Sequence, residues 1–220
     1  MTALASPPAL ADLGPLAQLR AGRMPRRLVQ LSVGLVLYGV SLGLMVRSGL
    51  GVAPWDVLHS GLIRHVPITL GQAVVGMSFV VLLLWIPLRE VPGLGTIANA
   101  LVVGLAADAT LWLLDPPDAV LLRLALVVGG VALCGYAGAM YIGAQLGRGP
   151  RDGLMTGLAR RTGRSLRLVR TGIEVVVVLA GLALGGALGL GTVLYALAIG
   201  PLTQAWLPAW TVELGRTEPV

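Results

Sequence analysis

Leu50-Gly51-Val52-Ala53-Pro54-Trp55-Asp56 returns 96 residues later as Leu146-Gly147-Arg148-Gly149-Pro150-Arg151-Asp152. The same offset carries Gly61-Leu62 onto Gly157-Leu158, and Gly93-Leu94-Gly95-Thr96 onto Gly189-Leu190-Gly191-Thr192. Gly76 matches Gly172, Ala100 matches Ala196 and Gly104 matches Gly200. One ungapped register across three separate motifs is an internal duplication. It covers the chain from Gly34 to the end of its last apolar segment, with about a third of positions matching.

Outside the motifs the chain is oily. Of 220 residues, 56% are hydrophobic and 12% are charged, about half the charge of an ordinary soluble domain. There are 31 glycines and 14 prolines, both commoner in membrane helices than in soluble ones. The composition excludes a typical soluble enzyme and a disordered chain, and predicts an all-α polytopic membrane protein.

Six segments reach the roughly 20 apolar residues that a bilayer requires: Leu28–Val46, Leu70–Leu88, Leu94–Leu114, Val120–Gly143, Leu168–Ala187 and Leu190–Leu207. Asp115-Pro116-Pro117-Asp118 breaks the third from the fourth. Each repeat thus holds three spans. The organisation expected is a cytosolic tail over 1–27, a first repeat over 28–114, a second over 115–208 and a cytosolic tail over 209–220. An odd number of spans reverses the second copy, so the repeats are expected to be inverted about an axis in the membrane plane.

All 16 basic residues are arginine. With a cytoplasmic N-terminus, thirteen of them lie inside: Arg20, Arg23, Arg26, Arg27, Arg89, the seven from Arg148 to Arg170, and Arg216. Only Arg47, Arg64 and Arg123 lie outside. The positive-inside rule therefore predicts both termini cytoplasmic. It also accounts for the net charge of +6 without nucleic acid. Residues 1–22 read as a flexible tail. Pro7, Pro8, Asp12 and Pro15 break any signal core, and the run after Arg26-Arg27 is too long for one.

In both repeats the first span leads into L-G-x-x-P-x-D and a short helical stretch. Gly51 and Gly147 open the motif, and Pro54 and Pro150 suit the first helical position, which needs no N–H. Asp56 and Asp152 then fall in the first turn, where a carboxylate meets the positive end of the helix dipole. Pro54–Arg64 would be about 16 Å long as a helix, half a bilayer. Two readings stand. The stretches are surface helices and the aspartates are caps, or they are half-helices that carry both carboxylates to a central pathway, as broken helices do in transporters built from repeats.

Glu174 is a third candidate, because intramembrane carboxylates are functional by default; its bland alternative is an i,i+4 pair with Arg170. Asn99, Gln72, Tyr195 and Gln204 either line a path or hydrogen-bond between helices. Asp108 sits near an interface, where water would solvate it. The turn motif Gly93, Gly95, Thr96 and its copy Gly189, Gly191, Thr192 reads as helix capping. Gly39 and Gly43, and Gly181, Gly185 and Gly189, mark close helix contacts, within the chain or in a homo-oligomer.

No catalytic constellation and no metal-spaced cluster emerges; Cys134 lies in an apolar run, and His59 and His65 make no metal site alone. No enzyme, cofactor or metal is expected. The partners expected are the lipid bilayer and a small solute.

Leu50–His59, Gly147–Met155, Pro92–Thr96 and Val169–Glu174 together resemble the bacterial YczE/YyaS/YitT group of integral membrane proteins. The resemblance implies a multi-pass protein of the bacterial inner membrane, in a group whose members are called transporters without an assigned substrate. The expected function is thus a small-solute transporter or permease; the alternative is a non-transporting scaffold or accessory subunit that docks through Arg148–Arg170. One departure stands out. Trp55 in the first copy is Arg151 in the second, so the halves are not interchangeable.

Overall fold

The computed structural model describes residue 10 and residues 13–214. The order is α1 (Pro15–Arg20), α2 (Met24–Ser48), α3 (Pro54–Leu62), α4 (Leu70–Leu88), α5 (Leu94–Leu113), α6 (Val120–Gly143), α7 (Pro150–Thr162), α8 (Leu166–Ala183) and α9 (Leu190–Trp210). Among the described residues there is no strand. Five helices are long and apolar enough to cross a membrane: α2, α4, α5, α6 and α9. The fifth expected span, Leu168–Ala187, is instead the 18-residue α8. Arg167, Arg170 and Glu174 give it three charges, and it ends before Gly185, whose φ of +78° a right-handed helix cannot hold.

The outer surface is apolar. Leu83, Ile86, Leu105, Trp112, Leu121 and Leu197 all stand exposed. In a bilayer such side chains face acyl chains, and the buried cores between helices hold the polar groups.

α2 packs on α5 and α6, and α6 packs on α9. α3 packs on α8, and α4 on α5 and α7. Each short helix therefore lies against the following long helix of the other copy: α3 on α8, and α7 on α4. Side chains are exchanged in the same way. Gly153 of α7 lies against the Trp85 ring of α4, where an added Cβ would overlap the indole. At the positions 96 residues away the sizes are reversed: Val57 of α3 lies against Gly181 of α8, where a Cβ would meet the Val57 and Leu58 backbone.

The loops are crossed too. The Gly95 N–H donates to the Leu146 carbonyl at 2.7 Å, and the Gly191 N–H donates to Leu50 at 2.8 Å. Gly51 and Gly147 have φ of +107° and +127°, a conformation that glycine adopts without steric cost. Gly93 packs on Leu146 and Gly147, and Gly189 on Leu50 and Gly51, so closely that a Cβ on either would strike backbone. The turn motif is thus the seat for the other repeat's loop. Thr96 Oγ1 accepts from the Gly93 N–H at 3.1 Å and donates to the Arg148 carbonyl at 2.7 Å. Thr192 Oγ1 accepts from Gly189 at 3.3 Å.

The terminal boundaries need correction. Residues 13–27 are not a loose tail: α1 precedes α2, Ala21 is buried, and Arg27 is wholly buried. At the other end α9 runs to Trp210, and buried Val212 donates its N–H to Gly143 at 3.0 Å. Gln30 Nε2 donates to the Met140 and Trp210 carbonyls, tying that end to α2 and α6. Residues 1–9, 11, 12 and 215–220, with Arg216 and part of both expected tails, lie outside the described residues.

The glycine faces close within the chain. Gly39 and Gly43 meet Val103, Ala106 and Thr110 of α5, Gly181 meets α3, and Gly185 meets Arg64. Each is taken by an intramolecular neighbour.

Candidate functional site

α3 and α7 both begin at proline, so Asp56 and Asp152 each occupy the third helical position. Their surroundings differ. Asp56 is buried, and its Oδ1 lies 2.9 Å from Nδ1 of His59, one turn on and equally buried. A carboxylate only accepts, so Nδ1 carries the proton and Nε2 is left as an acceptor. Among the described residues Nε2 has no hydrogen-bond partner, nor does the buried Trp55 Nε1. Burial pushes the His59 imidazole below its ordinary range, while the bond to Asp56 pulls it back up. The surface-helix reading is therefore overturned for the start of this stretch. Trp55, Asp56, Val57 and His59 are all enclosed, because α8 and α4 cover α3.

Asp152 Oδ2 accepts a hydrogen bond from the Tyr141 hydroxyl at 2.6 Å. Tyr141 stands edge-on to Tyr38, with centroids 5.8 Å apart, and the Tyr38 hydroxyl is 3.5 Å from that of Tyr195. The Arg151 guanidinium lies over the Trp55 ring, 5.1 Å from its centroid. Trp55 and Arg151, which occupy equivalent positions of the two copies, are thus in mutual contact. Equivalent positions that meet face themselves, so two arginines would repel there. A cation on an indole is attractive instead, by about 0.5–2 kcal/mol.

A small cavity of about 40 Å³ lies at this junction, and its polar lining is Tyr38, Ser78, Asn99, Tyr141, Arg151 and Asp152. It draws on α2, α4, α5, α6 and α7. A larger depression of about 560 Å³ opens beside the end of α2 and the start of α4. Its one ionisable group, Asp108, already accepts from the Gly71 N–H at 2.7 Å and from the Thr69 hydroxyl. Apart from Asp108, Ser60 and Thr69 that depression is apolar and offers little to orient a ligand, so the small cavity is the candidate site.

Of the residues proposed for a pathway, Asp152 and Asn99 line this cavity. Asp56 does not line it and is paired with His59 instead. Gln72 does not belong to the cavity: it is exposed and completes a capping box on α4, accepting from the Thr69 N–H at 3.0 Å. Glu174 takes its bland alternative and accepts from Arg170 Nε at 3.0 Å. Replacing Gln72 by Ala is expected to cost about 0.5–1 kcal/mol, one solvated hydrogen bond, and to leave any transport unchanged. Lost flux at unchanged stability would return Gln72 to the pathway.

Tyr38, Tyr141 and Ser78 were not picked out by the motifs. The available signal was weak: a hydroxyl in an apolar span. Arg151 was visible as a departure between copies, although nothing in the sequence placed it against Trp55.

Residues 25–208 match the model of a family of unknown function, DUF6198. An uncharacterized protein of Haemophilus influenzae is 41% identical over 173 residues, 79% of each chain. The uncharacterized membrane protein YczE of Bacillus subtilis is 32% identical over 178 residues, 80% of this chain and 82% of its own. The uncharacterized protein YyaS of the same organism is 26% identical over 182 residues, 80% and 90% of the two chains. No solved structure matches. The chain is an all-helical membrane protein. It belongs to the DUF6198 family, with YczE and YyaS among its relatives.

Proposed function

We propose that this protein is a small-solute carrier of the bacterial inner membrane, within the wider YczE/YyaS/YitT group. In this reading it is built from two inverted three-span repeats, with both termini cytoplasmic. The observation that carries the reading is the cavity at the start of α7, where Arg151 and Asp152 meet polar side chains of α2, α4, α5 and α6. The interior of a membrane protein places ionisable groups where a solute or ion passes, and broken helices at repeat-related positions bracket such sites. The reciprocal loop bonds and exchanged helix packing support the inverted repeat. In this scheme α8 is the fifth of the six spans. Its Arg170 and Glu174 neutralise each other, which leaves Arg167, one residue from the helix start, to reach the inner interface.

The scaffold alternative needs the Arg148–Arg170 stretch as a docking surface. Part of that stretch is engaged within the chain. Arg160 pairs with Glu90 at 3.0 Å, and Arg161 donates to the Pro87 carbonyl at the end of α4.

The test uses a Cys134→Ala background, since Cys134 is a buried thiol, carrying Ser78→Cys or Asn99→Cys. An impermeant thiol reagent is added from one side at a time. A carrier exposes both positions to each side in turn, so each should label from both. Labelling of neither position from either side, in folded protein, would remove the pathway and leave the scaffold.

A further inference from the structure

We propose that the cavity beside the start of α7 takes a zwitterion of about glycine's size, its carboxylate on Arg151 and its ammonium on Asp152. This ligand class rests on the reading of the cavity as the solute site. Arg151 and Asp152 are consecutive on α7, and consecutive helical residues do not face each other. Among the described residues they form no ion pair, and Arg151 makes no hydrogen bond; its guanidinium lies over the Trp55 ring. A guanidinium in that setting keeps its planar fork of donors free, the shape that grips a carboxylate with two parallel bonds. Asp152 uses Oδ2 for Tyr141, so Oδ1 remains to accept. Asn99 adds an amide with no hydrogen bond of its own among the described residues.

A simple anion would meet Asp152, and a simple cation would meet Arg151. In a low-dielectric enclosure either repulsion is strong. A molecule with both charges a few ångströms apart satisfies both groups. The volume sets the size. About 40 Å³ is room for about three waters at roughly 10–15 Å³ each, so a zwitterion without a side chain is the upper bound, and its five heavy atoms require the cavity to widen on binding.

The experiment is binding of radiolabelled glycine to purified protein in detergent, with acetate and methylamine as competitors. Saturable binding that neither competitor displaces is expected. Arg151→Gln should weaken it by about tenfold or more, the loss of a charge-assisted pair. Asp152→Asn should weaken glycine similarly and should also make acetate an effective competitor, a gain that unfolded protein cannot give. No saturable glycine binding by the wild type overturns the proposal, as does unchanged affinity in both variants. If neither variant is recovered folded, displacement of wild-type glycine by acetate or methylamine alone overturns it. The two levels separate cleanly. Glycine that binds in detergent but never enters vesicles overturns the carrier and keeps the ligand class. Vesicle flux of another solute without glycine binding overturns the ligand class alone.

Discussion

Gly153→Val should destabilise the protein severely, and Trp85→Gly should restore part of the loss when the two are combined. A side chain at 153 has no space, because its Cβ already overlaps the Trp85 indole. Overpacking of a rigid interface costs about 1–3 kcal/mol and sometimes more. A wholly buried tryptophan that cannot move aside, with Nε1 donating to the Pro150 carbonyl at 2.9 Å, belongs at the upper end. Trp85→Gly alone opens a large void and drops that hydrogen bond, at about 3–5 kcal/mol. The double variant puts Val at the α7 position and Gly at the α4 position. That is the pairing the protein already uses on its other side, with Val57 on Gly181. The two changes should therefore couple favourably by about 1–3 kcal/mol, read from thermal unfolding in detergent across the four proteins. Simple additivity would mean that the two half-helix interfaces are not packed on one plan.

This exchange illustrates how far the residues themselves were legible. The glycine and proline motifs announced the duplication, because a turn with positive φ or a helix start admits few residue types. Helix positions followed from apolar runs, and the bounds of α4 and α6 match the segments that sequence indicates. Less legible was anything that depends on which copy touches which. Trp85 and Gly153 are unremarkable until the repeats are interleaved, as are Trp55 and Arg151. Charge also misleads locally: Glu174 and Gln72 look alike as intramembrane polar groups. One is neutralised by Arg170 a turn away, and the other caps a helix at its exposed end. Asp152 and Asn99 reach the cavity because α7 is folded back against α4 and α5, a tertiary fact that no window of sequence contains.

Arg27→Ala should be far more damaging than Arg123→Ala, although the two arginines stand at equivalent places 96 residues apart. Arg27 Nε donates to the Ala144 carbonyl at 2.8 Å and one terminal nitrogen donates to Gln145 at 2.7 Å. Arg123 does the same to Ser48 at 2.7 Å and Gly49 at 3.2 Å. Each guanidinium thus caps the C-terminal end of the other repeat's first helix, where free carbonyls and the negative end of the dipole favour a cation. The environments differ. Arg27 is fully buried and also donates to the Gln18 carbonyl at 2.6 Å, tying α1 down. Arg123 is only half-buried, so water can replace it. Removing Arg27 leaves several enclosed carbonyls without donors, at about 1–3 kcal/mol for each unsatisfied group, for a total of about 3 kcal/mol or more. Removing Arg123 should cost about 1 kcal/mol, the net worth of a solvated hydrogen bond. Unfolding midpoints in detergent measure both. Equal losses would show that the Arg123 cap is as enclosed as the Arg27 cap. A small loss at Arg27 would show that the α1 segment and its carbonyls find other donors, and that this clamp is not what holds the first helices of the two repeats together.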